Sequence, residues 1–564
     1  MSSVTLTATA PAAATTAIAV DDLPKPTRSW QSIVDEKRAE QLARIPEAWR
    51  LTPDMYPAEG TIDLRPVATT CGILSARELL ITGPTYDATS LAAEIAKGTY
   101  SATETITAFC KRAAVGQQVC SFLTEICFSE AIAKAQKLDE HFKATGKTVG
   151  PLHGLAMTFK ECFHIEGFDH CNGYVSRCFD KSTITTPIIK LAEAAGACVI
   201  AKTNVPQTML VAECHNNVFG QTKNPIVSNM SSGGSSGGEG SLSAFYGNCL
   251  GVGTDVGGSI RLPAAFNAVY GYKPSVGILP FIGYAPSGWS GVNSGIPAVL
   301  GPLGRSMRDL RLFTDVVRAQ KPWTFDPAVI PGIMEAAFVP KKPVVGILYE
   351  SGIKPHPPVR RVLHEAVAKL EAAGYEVRDF TPVCPDFKEI RDVASEMLTS
   401  DGLSYQRREL AKSGEPAVSS VVNFGYWQNP RLEHEQVWAL GTRKGALQKA
   451  MLDAWQTLGI DVLIAPSAPH TPISGDRTTS ELYTVAWNVM DYPCVIVPFG
   501  KADKTKDVPD TEFTPKNDLD AKIHTWYDPE LMDGSPTSIQ FVGSRLDDAA
   551  MLRYVEELDA VIHA

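Results

Sequence analysis

The chain has 564 residues, 62 acidic against 52 basic side chains, and a net charge of −10. A composition of 44% hydrophobic and 20% charged residues excludes a disordered or fibrous chain, and the acidic balance excludes the basic footprint of a dedicated nucleic-acid binder. At about 150 residues per domain, length alone suggests three or four domains.

Residues 1–25 read as a disordered or extended segment. They carry no side-chain charge before Asp21, and so lack both the basic start of a secretory signal and the arginines of a mitochondrial presequence. No run of about 18 apolar residues predicts a membrane-spanning helix. Twelve cysteines without a CxxC pair suit free thiols in a reducing compartment, and a cytoplasmic location is expected.

From Ser29 to Arg44 the pattern predicts a charged surface helix within a helical extension over 26–75. A second helix is expected over Ser129–Ala144. Leu155–Phe159 reads as a short apolar strand. Thr186 suits the N-cap of a helix that Pro187 opens and Gly196 stops. Cys198–Ala201 is again strand-like. Val344–Tyr349 and Tyr375–Phe380 read as strands around a helix whose apolar positions are Val359, Val362, Leu363, Ala366, Val367 and Leu370. Asp461–Ala465 and Val495–Phe499 are further strands. Strands alternating with helices predict an α/β fold with helices on both faces of a sheet.

The glycines are unevenly placed. Ten of the 44 lie between Ser228 and Ser259, beside eight serines. Such a run is most often a linker, but Glu239, Phe245 and Tyr246 interrupt it. It then passes into an apolar strand-like segment, Cys249–Val252, and ends in Thr254-Asp255-Val256-Gly257-Gly258-Ser259. A phosphate cradle lacks GxxxxGK[ST]. A nucleophile elbow of the GxSxG kind lacks a preceding strand, and His470 and His524, the available histidines, are not marked by context. A serine could instead use a lysine base. Lys160 follows the apolar strand Leu155–Phe159, where desolvation would lower its pKa and let it deprotonate a hydroxyl. His164, Glu166 and His170 lack the HExxH form, so neither a metal nor a cofactor is expected.

Four segments together resemble the amidase signature family: GGSSGGEG (233–240), GVGTDVGGSIRLPAAF (251–266), GPLHGLAMTFKE (150–161) and AKTNVPQT (201–208). Asn488, Asp491, Tyr492 and Pro493 also fit. Within the family the chain looks most like fungal acetamidase-type enzymes, and it shares spacing with fatty acid amide hydrolases. The resemblance implies one large α/β/α layered domain over 76–564, with a mixed, mostly parallel central sheet. It further implies a triad of Ser259 as nucleophile, Ser235 on a cis peptide as bridge, and Lys160 as base. The backbone N–H groups of Val256, Gly257, Gly258 and Ser259 would form the oxyanion hole, with Thr254, Asp255 and Arg261 bracing the turn. Met209 and Leu210 would line the acyl pocket, with Phe281, Tyr284, Trp289, Phe424, Tyr426 and Trp427 as candidate walls. Two departures stand near the lysine: Glu161 where many members have Asp, and Ala156 where Pro is common. The expected partner is a small-molecule amide, with no nucleic acid, and the expected assembly a homodimer. The alternatives are a glutaminase-like subunit of an amidotransferase complex, and a serine esterase or carbamate hydrolase on the same fold.

Overall fold

A computed structural model describes residues 26–288, 295–335, 341–474, 477 and 479–564; the 1–25 segment and Trp289 lie outside them. The strands in chain order are β1 (Leu123–Ile126), β2 (Ala156–Lys160), β3 (Cys198–Thr203), β4 (His215–Asn216), β5 (Gly220–Gln221), β6 (Leu250–Asp255), β7 (Tyr270–Lys273), β8 (Val299–Gly304), β9 (Val345–Ile347), β10 (Val377–Asp379), β11 (Val462–Pro466), β12 (Cys494–Lys501) and β13 (Pro536–Val542). Eleven of them form one sheet in the order β1-β3-β2-β6-β8-β7-β12-β13-β11-β9-β10, and β4 pairs with β5 apart from it.

Alternation along the strands sends side chains to opposite faces. Val462 and Ile464 of β11, with Val495 and Val497 of β12, join a core under the helices Pro357–Ala372 and Asp548–His563. Leu463 and Ala465 of β11, with Cys494 of β12, join a second core under Phe387–Leu398, His434–Leu458 and Leu482–Met490. The sheet is therefore covered on both faces, the α/β layering that the alternating pattern predicts.

The sheet is mixed, as expected, but not mostly parallel. Pairing is parallel for β2 with β3 and β6, and for β9 with β10 and β11. Among the described residues the other neighbouring pairs, from β6 through β8, β7, β12 and β13 to β11 and at β1/β3, are antiparallel. The helix-linked segments are where strand–helix alternation was legible. The antiparallel centre brings together strands such as β8 with β6, or β12 with β7, whose pairing leaves no period in the sequence.

Two local expectations also change. Thr186 precedes the helix Pro187–Ala194 but does not cap it. Its hydroxyl accepts the His164 N–H at 2.8 Å and donates to the Gly283 carbonyl at 2.8 Å, bridging two loops instead. The extension's helix Trp30–Ala43 is not wholly a surface element. Lys37 is buried on it, with its Nζ 2.7 Å from a carboxylate oxygen of Glu125 and 2.7 Å from one of Asp169.

Candidate active site

Strand β2 ends on Lys160, whose side chain is fully buried. Its Nζ donates to Ser235 Oγ at 2.6 Å and to Thr254 Oγ1 at 2.8 Å. Burial lowers the ammonium's pKa from 10.5 to about 8, against the opposing pull of nearby groups such as Asp255. Fully buried and without an ion-pair partner among the described residues, this lysine is poised to be neutral slightly above neutral pH.

Ser235 stands in the Gly/Ser loop before the helix Gly237–Ala244, and the Gly234–Ser235 peptide is cis. Gly234 is required there by close approach, because a Cβ would stand 2.1 Å from the Glu213 carbonyl oxygen. The Ser236 N–H donates to the Ser259 carbonyl at 3.0 Å, tying this loop to the second turn.

That turn joins β6 to the helix Arg261–Phe266 and is organised by one buried ion pair. Asp255 Oδ1 accepts from the Gly258 N–H, Arg261 Nη2 and Asn488 Nδ2, each at 2.9 Å. Oδ2 accepts from the Ile260 N–H and Arg261 Nε, each at 3.0 Å. Burial alone would raise this carboxyl's pKa. The Arg261 guanidinium overrides it and holds the group well below the usual carboxylate range. Arg261 also donates to the Thr484 carbonyl at 2.8 Å and to Gln540 Oε1 at 3.0 Å, so it braces the turn from three directions.

Because the Gly258 N–H is committed to Asp255, the four donors expected there reduce to three. The N–H groups of Val256, Gly257 and Ser259 have no acceptor among the described residues. Gly258 supplies conformation instead. Its φ is +133°, and a Cβ would lie 2.2 Å from Thr484 Oγ1, which donates to the Gly257 carbonyl at 2.7 Å. If the remaining N–H groups of this turn hold an oxyanion, Gly258→Ala should cut kcat/KM by about 100-fold or more, the cost of displacing one such donor. Steady-state kinetics on a small amide check it.

A cavity of about 340 Å³ opens over both serines. Ser235, Thr254, Val256 and Ser259 line it, with Met209, Leu210, Phe281 and Tyr284 among its walls. Phe281 and Tyr284 stack with centroids 4.1 Å apart. Phe424 and Tyr426 line a smaller adjoining cavity of about 30 Å³, which Met209, Leu210 and Ser259 share. Trp427 lines neither and packs on the Arg407 guanidinium. His470 and His524 are also elsewhere. The first is bound to the Thr471 carbonyl and the Ser480 N–H, and the second is stacked on Phe513.

Sequence reasoning gave no role to the buried carboxyl of Glu239. It accepts from Thr158 Oγ1 at 2.6 Å and Thr203 Oγ1 at 2.9 Å, and burial raises its pKa to about 8. It ties the helix Gly237–Ala244, which follows the serine loop, to β2 and β3. The glutamate was visible in GGEG, but its partners lie in other strands. The Glu161 departure is accommodated too. Its carboxylate accepts from Thr124 Oγ1 and from the Cys171 N–H at 2.7 Å, and faces Lys202 Nζ at 3.3 Å. Glu125, Asp169 and Cys171 converge as a metal site would, but the Lys37 ammonium already sits between the two carboxylates.

The amidase family model matches residues 104–552. The chain belongs to the amidase signature family. It is 36% identical over 559 residues to an acetamidase of Emericella nidulans, covering 95% of this chain and 98% of that one. An acetamidase of Aspergillus oryzae is 34% identical over 546 residues, covering 94% and 98%. Among solved structures, a fatty acid amide hydrolase superposes with a TM-score of 0.87 at 28% identity, covering 95% of this chain and 96% of that one. A bacterial aryl acylamidase shares the fold with a TM-score of 0.65 at 19% identity, covering 85% and 98%. No described helix of this amidase-family chain is long and apolar enough to cross a membrane.

Proposed function

We propose that the protein hydrolyses a carboxylic acid amide to the acid and ammonia or an amine, with Ser259 as nucleophile, Ser235 as proton relay and Lys160 as base. The observation that carries this reading is the 2.6 Å bond between Lys160 Nζ and Ser235 Oγ, at the wall of a cavity that Ser259 also lines.

Neutral Lys160 takes a proton from Ser235 as Ser235 takes one from Ser259. The Ser259 Oγ–carbon bond forms, and the carbonyl oxygen becomes an oxyanion facing the Val256, Gly257 and Ser259 N–H groups. The proton returns through Ser235 to the amide nitrogen. The carbon–nitrogen bond then breaks with release of a neutral amine, because an amide anion is a very poor leaving group. Water attacks the acyl-enzyme by the same proton path, the Oγ–carbon bond breaks, and the acid departs. Lys202, Glu239 and the Asp255–Arg261 pair hold the walls and touch no reacting atom.

Short acyl amides of the acetamide type are favoured. The two acetamidase relatives point there, and a cavity of about 30 Å³ beside Ser259 suits a small acyl group. The larger cavity leaves room for a substituent on nitrogen.

The test is a panel of acetamide, propionamide, benzamide, an acetanilide and a long-chain primary amide, with no added metal or partner. Ammonia or amine release from the short amides is expected, and silence across the panel would remove the reading. The pH profile adds a second test. The active base is unprotonated and its folded pKa is about 8, so kcat/KM should rise about tenfold per unit below that value and level off above it. An acid optimum would contradict a lysine base.

A further inference from the structure

Two of the cysteines touch. Cys171 Sγ and Cys178 Sγ stand 3.8 Å apart at the ends of one short loop. The loop is closed without help from the sulfurs. The Phe179 N–H donates to Asp169 Oδ2 at 2.7 Å, and Asp169 pairs with Lys181 in an antiparallel bridge. Inside it the Tyr174 N–H donates to the Cys171 carbonyl at 2.9 Å, and one tight turn covers Val175–Arg177. Local folding therefore holds the thiols together, and a bond between them has almost no loop left to close. The two are unequal. Cys171 is fully buried, and its N–H is fixed on Glu161 Oε1 at 2.7 Å. Contact with Cys178 and burial hold its pKa well above the ordinary thiol value. Cys178 is half-buried, so it is the sulfur that a small oxidant reaches first. Its chain neighbour supports the active-site wall. Arg177 donates to the Tyr405 hydroxyl, faces the Pro286 carbonyl at 3.5 Å and pairs with Glu409 at 3.5 Å. Pro286, Ser287 and Gln406 line the large cavity over Ser235 and Ser259, and Gln406 Nε2 donates to the Ser287 carbonyl at 3.0 Å.

We propose that Cys171 and Cys178 are an oxidative modification site for hydroperoxides, and that their disulfide slackens the cavity wall that Arg177 supports. The effect on activity rests on the amide-hydrolase reading above; the disulfide itself does not. The Cys178 sulfur attacks one oxygen of the hydroperoxide and the O–O bond breaks. The thiol proton leaves with the other oxygen as an alcohol, or as water from hydrogen peroxide, and Cys178 becomes a sulfenic acid. The Cys171 sulfur then attacks the Cys178 sulfur and the S–O bond breaks. The departing hydroxide takes the Cys171 proton and leaves as water. The thiol pair loses two electrons and the peroxide gains them. A disulfide spans about 2.0 Å, so sulfurs that start 3.8 Å apart must close by about 1.8 Å. Cys171 is pinned on Glu161, so Cys178 makes most of that movement and draws Arg177 with it. A shift of about 1 Å in groups that position a substrate can cost about 100-fold in rate.

The experiment treats the reduced full-length protein with hydrogen peroxide, blocks the remaining thiols and reads both tryptic peptides and kcat/KM on a small amide. Trypsin cuts after Arg177 and so separates the two cysteines, into peptides 161–177 and 178–181. The two peptides should appear joined, with fragmentation placing the bond on Cys171 and not on Cys162. The oxidised protein's kcat/KM should fall by about tenfold or more and return on treatment with dithiothreitol. Cys178→Ser should match the reduced wild type before peroxide and lose nothing after it. Absence of the joined peptides overturns the proposal, and so does a loss of activity that persists in Cys178→Ser, because another thiol is then responsible. Joined peptides with unchanged kcat/KM overturn the link to the cavity wall. Reduced protein that hydrolyses no amide removes the amide-hydrolase reading, while the joined peptides still decide the thiol pair.

Discussion

Replacing Ser259 by alanine should lower kcat/KM on a small amide by roughly 10⁴- to 10⁶-fold while leaving the fold intact. Ser259 is half-buried, and its hydroxyl makes no hydrogen bond among the described residues. Its removal therefore takes away the proposed attacking atom and little else. Ser235→Ala should cost nearly as much, because it breaks the 2.6 Å contact to Lys160 and with it the proton path. On the proposed mechanism the three groups act as a unit, so the Lys160→Met, Ser235→Ala, Ser259→Ala triple variant should be only slightly slower than Ser259→Ala alone. A serine-directed fluorophosphonate gives a readout independent of turnover. It should label the wild type and fail to label Ser259→Ala. Retention of more than about 1% of the activity, or labelling that persists, would assign the nucleophile elsewhere.

The parts of this site that were legible in sequence are those that chain-local physics dictates. β2 is a buried apolar run, and its last residue inherits the strand's direction and dryness. The turn after β6 needs glycine at Gly258, where φ is +133°, so its composition betrays it. What was hidden is what the fold assembles from distant segments. Arg261 meets Thr484 and Gln540 across 223 and 279 residues. Lys37 reads as one more charge on a surface helix until β1 and the Asp169 loop close over it. Glu481 looks like an ordinary acidic residue at a helix start. Its burial against Tyr426 and Arg391, from two other segments, shows only in the fold. That the Gly258 N–H, one of the four expected donors, is spent on Asp255 was hidden for the same reason, since it depends on the turn's three-dimensional path.

The largest stability effect should come from Arg261→Met. Asp255 and Arg261 are both fully buried, and removing the guanidinium leaves a carboxylate in a dry site with only neutral hydrogen-bond donors. Breaking a buried pair from one side costs about 3–5 kcal/mol. The sign of its pH dependence follows from linkage. In the wild type the folded pKa of Asp255 lies below 3.8, so the pair's contribution is present above that value and is lost only as pH falls through the folded pKa. In the variant, burial, the largest influence, is opposed only by neutral donors and the Lys273 ammonium, and the folded pKa should rise above 3.8. The unfolded chain then releases its proton before the folded one does, and stability falls as pH rises between the two values. The deficit relative to wild type should thus be larger at pH 7.5 than at pH 4.5, read from urea midpoints at constant slope. Asp255→Asn added to Arg261→Met removes the stranded charge, and should recover part of the stability without recovering activity, because the Val256–Ser259 turn still lacks its brace. A deficit below about 1 kcal/mol, or one that is the same at both pH values, would mean that the pair does not hold the turn by charge.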